Sequence, residues 1–346
     1  GFLSRAESGL SAVLLEQNDV SEALRYAHSG VAKTLHWQSA NHVAWAHIFL
    51  ARALMATGDL AGAAASLEGA DEARRKLPVL PIISNLLEAT WVRVWLAQGN
   101  LLPAERWANK LPSATAGHNT QAGVITENSE LLLVAQSRVL IARGRAHGDN
   151  AALDEALALL ARLKTAALNS GRLNTLIEVL VLEAVARYHH STLLDGGEAH
   201  PKPELDALEQ ALQLGEQEGY IRVFIDEGDV MQRLLTMLGR QSMHVLPPHQ
   251  RAYLARLLQA FPASPSTSDL APAAARPAEG LIEPLSEREL EIVRLIAAGM
   301  NTRAIAGKLI VAPGTVKAHL ASIYRKLDVH SRTQALATAR VLGLLD

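Results

Sequence analysis

Cationic and small side chains alternate along one segment near the C-terminal end of the chain, and their types suit contact with a polyanion. Lys317 and Arg325 enclose Ala318 and Ala321 in the segment 313–327. Lysine and arginine bind phosphates or guanine edges, and alanine lets a helix approach base edges closely. We therefore predict that this segment is a helix that lies in the major groove of DNA.

The same segment carries an apolar face that can anchor it. Val316, Leu320, Ile323 and Leu327 follow one another at steps of four, three and four, so they share one side of a helix. We expect that side to pack inward and to leave the cationic residues outside. A solvated helix face is the alternative that charge alone would favour.

Two shorter helices are predicted before this segment. Ser286 and Glu289 form a capping box, and Gly299 suits the C-terminal stop of the first helix. Its buried stripe is expected to contain Leu290, Val293, Ile296 and Ala297. Asn301 is the expected N-cap of the second helix, and Pro313 suits the first position of the third. This order of helices is typical of a helix-turn-helix.

A resemblance follows from these motifs. The stretch from Leu285 to Ala335 resembles the DNA-binding domain of LuxR-type transcription regulators, including a fourth helix after Ser331. Ala312 departs from the family pattern, which usually has serine there. The matching residues are Leu285, Arg288, Glu289, Glu291, Gly299, Ile305, Ala306, Thr315, Val316, Lys317, His319, Ile323, Lys326, Leu327, Arg332, Thr333 and Ala335.

The resemblance implies roles for individual positions on the DNA. Lys317, Ala318 and Ala321 would approach base edges, and Thr315 would meet a phosphate near the helix N-terminus. The preceding helix would cross the backbone, where its first residues either contact phosphate or are simply solvated. The full set of predicted DNA-binding residues is Thr315, Lys317, Ala318, Ala321, Arg325, Asn301, Thr302 and Arg303.

The distribution of charge agrees with that placement. Residues 281–346 carry nine Lys and Arg against six Asp and Glu, whereas the rest of the chain carries 24 against 29. The positive end is therefore the end that carries the groove helix, as counterion release on phosphates requires. Because an excess of three charges is small, we expect the domain to act in pairs.

The first 240 residues predict an all-α fold built from repeated helix pairs. Three stretches share a polar turn followed by a small residue, Ala23, Ala63 or Ala104, at intervals of 40 and 41 residues. Asn or Gly at 18, 58 and 99 would let two helices reverse tightly. Weaker copies lie around Ala156 and Ala207. Stacked pairs of this kind form a superhelix with a concave inner face.

These repeats resemble tetratricopeptide repeats. Together with the C-terminal motif and the stretch EQEGYIRVFIDEG, they resemble the large maltose-activator-like branch of the LuxR superfamily. That resemblance implies a small-molecule or protein inducer on the superhelix, self-association, binding of promoter DNA and contact with RNA polymerase. Relatives usually start with an ATPase domain, and no phosphate-binding loop motif occurs here. We expect the chain to be a C-terminal fragment or a natural short form, and no enzyme.

The expected domain organisation follows from composition. Residues 1–240 form the helical-repeat sensor, 241–261 a helical extension, 262–280 a linker rich in Pro, Ala and Ser, and 281–346 the helix-turn-helix domain. The chain has no Cys and no apolar run of the roughly 20 residues that span a bilayer. A cytoplasmic protein without cofactor or metal is the prediction.

Several residues of the repeats have two interpretations. Trp45 and Trp95 could line a ligand groove, although the interhelical core is the favoured place for all five tryptophans. Glu216 and Glu218, near Asp226 and Glu227, could form paired carboxylates, but a solvated acidic surface is the favoured interpretation. The competing function is a protein-interaction scaffold whose C-terminal helices serve oligomerisation, and DNA binding separates the two hypotheses.

Overall fold

The computed structural model describes residues 2–34, 39–111, 125–194, 202–242 and 246–261, together with the single positions 292, 295, 308 and 323. The chain divides into two compact units, Gly1–Ser264 and Pro265–Asp346. Every regular element in the described residues is a helix. The all-α prediction is therefore confirmed for that part of the chain.

The first unit is a succession of helices joined by short connections. The helices before residue 112 are α1 (Phe2–Glu16), α2 (Val20–Ala32), α3 (Ala40–Thr57), α4 (Leu60–Lys76), α5 (Pro81–Ala97) and α6 (Leu101–Ala108). Those that follow are α7 (Glu127–His147), α8 (Asn150–Ser170), α9 (Leu173–Leu194), α10 (Lys202–Glu218), α11 (Arg222–Ile225), α12 (Asp229–Ser242) and α13 (Pro248–Ala260).

The tight reversals lie at the residues that the repeat pattern predicts. Asn18, Gly58 and Gly99 adopt φ of 66°, 84° and 70°. This left-handed conformation is costly for most side chains and is open to Gly and, at lower frequency, Asn. The prediction that these residues let paired helices reverse is confirmed.

An aspartate starts the next helix after Asn18, after Gly58 and after Gly148, which also has a positive φ of 64°. Asp19, Asp59 and Asp149 each accept a hydrogen bond from the backbone N–H three residues further on, at 3.2, 2.8 and 3.1 Å. Each carboxylate thereby satisfies one of the free amides of a helix N-terminus. The left-handed residue ends one helix and the aspartate begins its partner.

The small residues of the repeats are buried between helices. Ala23, Ala63, Ala104 and Ala156 are fully buried, and Ala207 is 3% exposed. A small side chain lets the second helix of a pair lie close to the first, as predicted. The first helices of successive pairs also contact one another, in the order α1, α3, α5, α7 and α9. These odd-numbered helices form the inner wall of the unit.

The last two helices of the first unit belong to the same core as the repeats. Tyr253, Leu254 and Leu257 of α13 are buried in one hydrophobic cluster with residues of α8, α9 and α10. The Tyr253 hydroxyl donates to the backbone carbonyl of Tyr220. The predicted boundary at residue 240 falls within α12, and we propose that the repeat unit extends to Phe261.

The end of the repeat array meets its beginning. The backbone N–H of Ile221, just before α11, donates to the carbonyl of Glu16 at the end of α1 over 2.7 Å. Arg222 Nη1 lies 3.3 Å from Asn18 Oδ1 in the turn that follows α1. The inner wall is thus closed by contact between its first helix and α11.

Backbone conformation at the repeat turns can be tested with a pair of glycines that both face open space. A Cβ at Gly58 or at Gly9 would meet no atom within 4 Å, but only Gly58 has a positive φ. We expect Gly58→Ala to lower the free energy of unfolding by about 1 kcal/mol. Gly9→Ala, inside α1, should raise it by about 0.5–1 kcal/mol. Urea denaturation measures both, and a loss of stability of equal size in the two variants would contradict the assignment.

Candidate functional site

Two cavities open on the inner wall of the first unit. One has a volume of 670 Å³ and lies among α3, α5, α7, α9 and α11. The other has a volume of 560 Å³ and is lined from the same inner helices nearer their opposite ends. Arg93 and Arg138 line both cavities. Their side chains therefore lie between the two spaces.

A continuous chain of ion pairs runs across the inner wall between these cavities. Its order is Glu227, Arg138, Glu178, Arg93, Asp226 and Arg222, and we call these six residues the ion chain. The Arg138 guanidinium lies 2.5 Å from Glu227 and 2.8 Å from Glu178. The Arg93 guanidinium lies 3.3 Å from Glu178 and 3.2 Å from Asp226. The ion chain thus joins α5, α7 and α9 to α11 and the turn that follows it.

The pKa values of the residues in the ion chain depend on one another's charges. Burial by itself would raise the pKa of Glu178, but the neighbouring guanidinium groups of Arg138 and Arg93 outweigh burial and hold that pKa below 4.5. For Arg93, burial and the charge of Arg138 lower the pKa from its ordinary value. For Arg138, Glu227 and Glu178 overcome the cost of burial and raise the pKa. The carboxylate of Glu178 is therefore ionised at neutral pH.

The expectation of a solvated acidic surface is wrong for Glu227, whereas Glu218 is exposed and Asp226 is exposed but paired. The Glu227 side chain is only 11% exposed and pairs with Arg138 from a helix 89 residues earlier. Asp226 pairs with Arg93 and Arg222. Sequence reasoning also missed the arginines. Their signal was present, because Arg93 and Arg138 interrupt apolar stretches of α5 and α7, where a charge needs a partner.

Another cation lines the larger cavity outside the ion chain. Arg145 of α7 and His189 of α9 both contribute to its wall. Burial, and secondly the positive charge of Arg145, lower the pKa of His189 to about 4. The imidazole is therefore neutral at pH 7, and Arg145 supplies the positive charge at this side of the cavity.

The tryptophans in the described residues pack against hydrophobic clusters. Trp91 stacks on Trp95 with ring centroids 5.5 Å apart, and the Trp91 indole N–H donates to Asp71 over 2.8 Å. Trp45 packs with Phe49 at 5.0 Å. Neither Trp45 nor Trp95 is among the residues that line the two cavities. Their contact with a ligand stays a prediction, and Trp37 lies outside the described residues.

Where the structure describes the chain, it brings no three His, Asp or Glu side chains together in a way that could hold a metal ion. Among the helices described, none combines the length and the apolar character needed to cross a membrane.

The predicted DNA-contacting residues all lie outside the described residues. Four positions of the second unit are described, and each is helical. Ile292 and Ile323 are fully buried, Leu295 is 8% exposed, and Lys308 is exposed. The inward orientation predicted for Ile323 is confirmed. The four residues expected to form the buried stripe of the first helix are not described, whereas Ile292 and Leu295, which were not expected there, are buried.

The comparison with known families covers most of the chain. The family described as MalT-like TPR region matches residues 3–241. The family described as bacterial regulatory proteins, luxR family, matches residues 283–339. The first region is the wall that carries the ion chain and both cavities, and the second includes every predicted DNA-contacting residue. Neither region is a catalytic domain.

These matches show that the chain is a DNA-binding transcription regulator with a LuxR-type helix-turn-helix. It belongs to the family that joins this domain to a MalT-like TPR region, because that region alone covers more than half of the sequence.

Removal of the central carboxylate of the ion chain should destabilise the first unit. We expect Glu178→Gln to lower the free energy of unfolding by about 2 kcal/mol, because Arg93 and Arg138 each lose one charged partner in a poorly solvated place. Glu72→Gln is the matched control. Its carboxylate pairs with Lys76 on the surface, where both side chains are more than half exposed. Urea denaturation at pH 7 should show no shift for the control, and an equally small shift for Glu178→Gln would contradict the role of the ion chain.

The effect of Glu178 should also depend on pH in a defined direction. Its pKa in the folded protein lies below the ordinary 4.5, so its contribution is complete above the unfolded-state pKa and is lost as pH falls through the folded-state pKa. The difference in unfolding free energy between wild type and Glu178→Gln should be constant between about pH 6 and 7 and shrink below about pH 4.5. A difference that grows on acidification would contradict this assignment.

Proposed function

We propose that the chain is a cytoplasmic regulator, with the activity of an activator, whose repeat unit binds an inducer and thereby controls engagement of promoter DNA by the C-terminal domain. The supporting observation is that the two matched regions belong to different kinds of domain. Residues 3–241 supply nearly all of the lining of two cavities with partly buried charges between them, and residues 283–339 match a DNA-binding family.

The inner wall suits the sensing part of this proposal. Its larger cavity lies among five helices, one of which is α11, and α11 also contacts α1. A ligand in that cavity would touch α3 and α11 at once, two segments that are far apart in the sequence. Ligand binding controls a protein only when its affinity differs between two states, and a site that bridges distant segments is sensitive to their relative position.

The output part of the proposal rests on the segment 313–327. Lys317, Ala318 and Ala321 would face base edges in the major groove, with Thr315 and Arg325 at the phosphates. Asn301, Thr302 and Arg303 would contact the backbone beside the groove. Residues 262–280 would serve as the linker before this domain.

Self-association would complete the mechanism. One domain with a charge excess of three makes few phosphate contacts, whereas two copies held together gain effective concentration on two half-sites. RNA polymerase is the proposed partner of the DNA-bound form. The inducer is a small molecule or a protein that favours the paired state.

DNA binding can be tested without knowledge of the promoter. Duplexes retained by the full chain from a random pool provide the target sequence and its half-site arrangement. On that target, Lys317→Ala should weaken binding and reduce the dependence of log affinity on log salt concentration by about one unit. Lys110→Ala, on an exposed residue of the repeat unit, is the control and should bind as wild type does.

Two results would count against this function. Failure of wild type and both variants to retain any duplex at low salt would favour the scaffold hypothesis. An equal loss of duplex affinity in Lys317→Ala and Lys110→Ala would show that the segment 313–327 is not part of the DNA interface.

A further inference from the structure

The larger cavity combines an apolar wall with a cationic margin. Its apolar side chains come from five helices, α3, α5, α7, α9 and α11, and they include Met55, Leu96, Ile141, Leu182, Val185 and Ile225. Four arginines line the same space, Arg93, Arg138, Arg145 and Arg222, against the two carboxylates of Asp226 and Glu227. The lining therefore carries an excess of positive charge in a chain whose formal net charge is −2.

Three of these arginines are already neutralised. Arg93, Arg138 and Arg222 all belong to the ion chain, in which three guanidinium groups meet the three carboxylates of Glu178, Asp226 and Glu227. A ligand would have to break these pairs to use them. The ion chain is thus a closed set of charges and leaves no cation for a ligand.

Arg145 is different, because its guanidinium forms neither an ion pair nor a hydrogen bond with any residue that the structure describes. It lies on α7, two turns beyond Arg138, in an exposed position. His189 of α9 lines the same part of the cavity, and burial together with the charge of Arg145 keeps its imidazole neutral at pH 7. A free guanidinium fork therefore stands beside a neutral ring that can donate one hydrogen bond.

We propose that this cavity binds a small amphipathic anion, with one carboxylate or phosphate group at Arg145 and His189 and an apolar body against Leu96, Ile141 and Leu182. This rests on the proposed function, because it names the ligand class of the same sensor. A guanidinium binds planar or tetrahedral oxyanions through two parallel N–H donors. A volume of 670 Å³ lies within the range of sites for small organic ligands.

The limit of one anionic group in the ligand follows from the pairing. Only Arg145 is left for it, and a second anionic group would meet Asp226 or Glu227 or compete with them for the ion chain. A neutral apolar ligand would fill the space but would leave Arg145 unused. A ligand with one anionic end and an apolar body matches both parts of the wall.

The test uses the full chain and displacement of the fluorescent anion 1-anilinonaphthalene-8-sulfonate. Octanoate and octyl phosphate supply the two anionic head groups on one apolar chain, and 1-octanol is the uncharged analogue. We expect an octyl anion to displace the dye at lower concentration than octanol. The better of octanoate and octyl phosphate identifies the head group.

Variants then locate the charge that the anion meets. Arg145→Gln should weaken displacement by the preferred anion about tenfold, the effect of one charge-assisted contact, and leave that by octanol unchanged. Arg251→Gln is the matched control, because Arg251 is an exposed arginine of α13 that lines neither cavity. It should behave as wild type does. The proposal would be overturned if octanol displaced the dye as effectively as both anions. It would also be overturned if Arg145→Gln and Arg251→Gln weakened displacement by the anion equally.

Duplex binding measured in the same samples separates this inference from the sensor function. If dye displacement depends on Arg145 but the anion does not change duplex affinity, the anion site is supported and its role in the control of DNA binding is contradicted. If another ligand changes duplex affinity but neither octyl anion displaces the dye, the anion site alone is contradicted.

Discussion

The first unit depends on the ion chain that crosses its inner wall. A charge in this poorly solvated place that loses its partner costs about 2 kcal/mol, whereas apolar contacts tolerate small shifts of one helix along another. The six charges of the ion chain must therefore meet in pairs, and they come from α5, α7, α9 and the segment around α11. Such pairing need not add stability over an apolar core, but it fixes where these helices lie relative to one another.

The cavities follow from two features that act together. Buried alanines let each helix pair close tightly, which brings the odd-numbered helices side by side as an inner wall. The array then returns upon itself, since α11 contacts α1 through Ile221 and Glu16. Space remains inside, and the ion chain lies between its two parts. Any ligand that occupies this space contacts helices whose relative position the ion chain already controls.

Local features of the fold could be predicted from the sequence because their causes are local. A left-handed turn at Asn18 or Gly58 depends on a single residue type that tolerates a positive φ. The small residue that follows at a fixed distance can also be recognised in the sequence. The family resemblance was carried by ordered motif residues and agrees with the matched regions 3–241 and 283–339. Burial of Ile323 followed from its place on an apolar helical face.

The inner ion pairs could not be predicted in the same way. Glu227 and Arg138 are 89 residues apart, and Asp226 and Arg93 are 133 apart. Nothing near Glu227 in the sequence distinguishes it from a surface carboxylate, so its assignment to a solvated surface was wrong. Charge inside an apolar helix, as at Arg93, indicates that a buried partner exists but does not identify it. That identity depends on how the repeats stack, which no single repeat encodes.

The central claim is that the ion chain holds the segment around α11 on the inner wall, and hydrogen exchange tests it most directly. Amide exchange would be compared between wild type and Arg138→Gln at residues 221–228, with the amides of α4 as an internal reference. The account predicts exchange at least about tenfold faster at residues 221–228 in the variant, because local opening becomes easier, with no change in α4. Equal protection of residues 221–228 in the two folded proteins would contradict it.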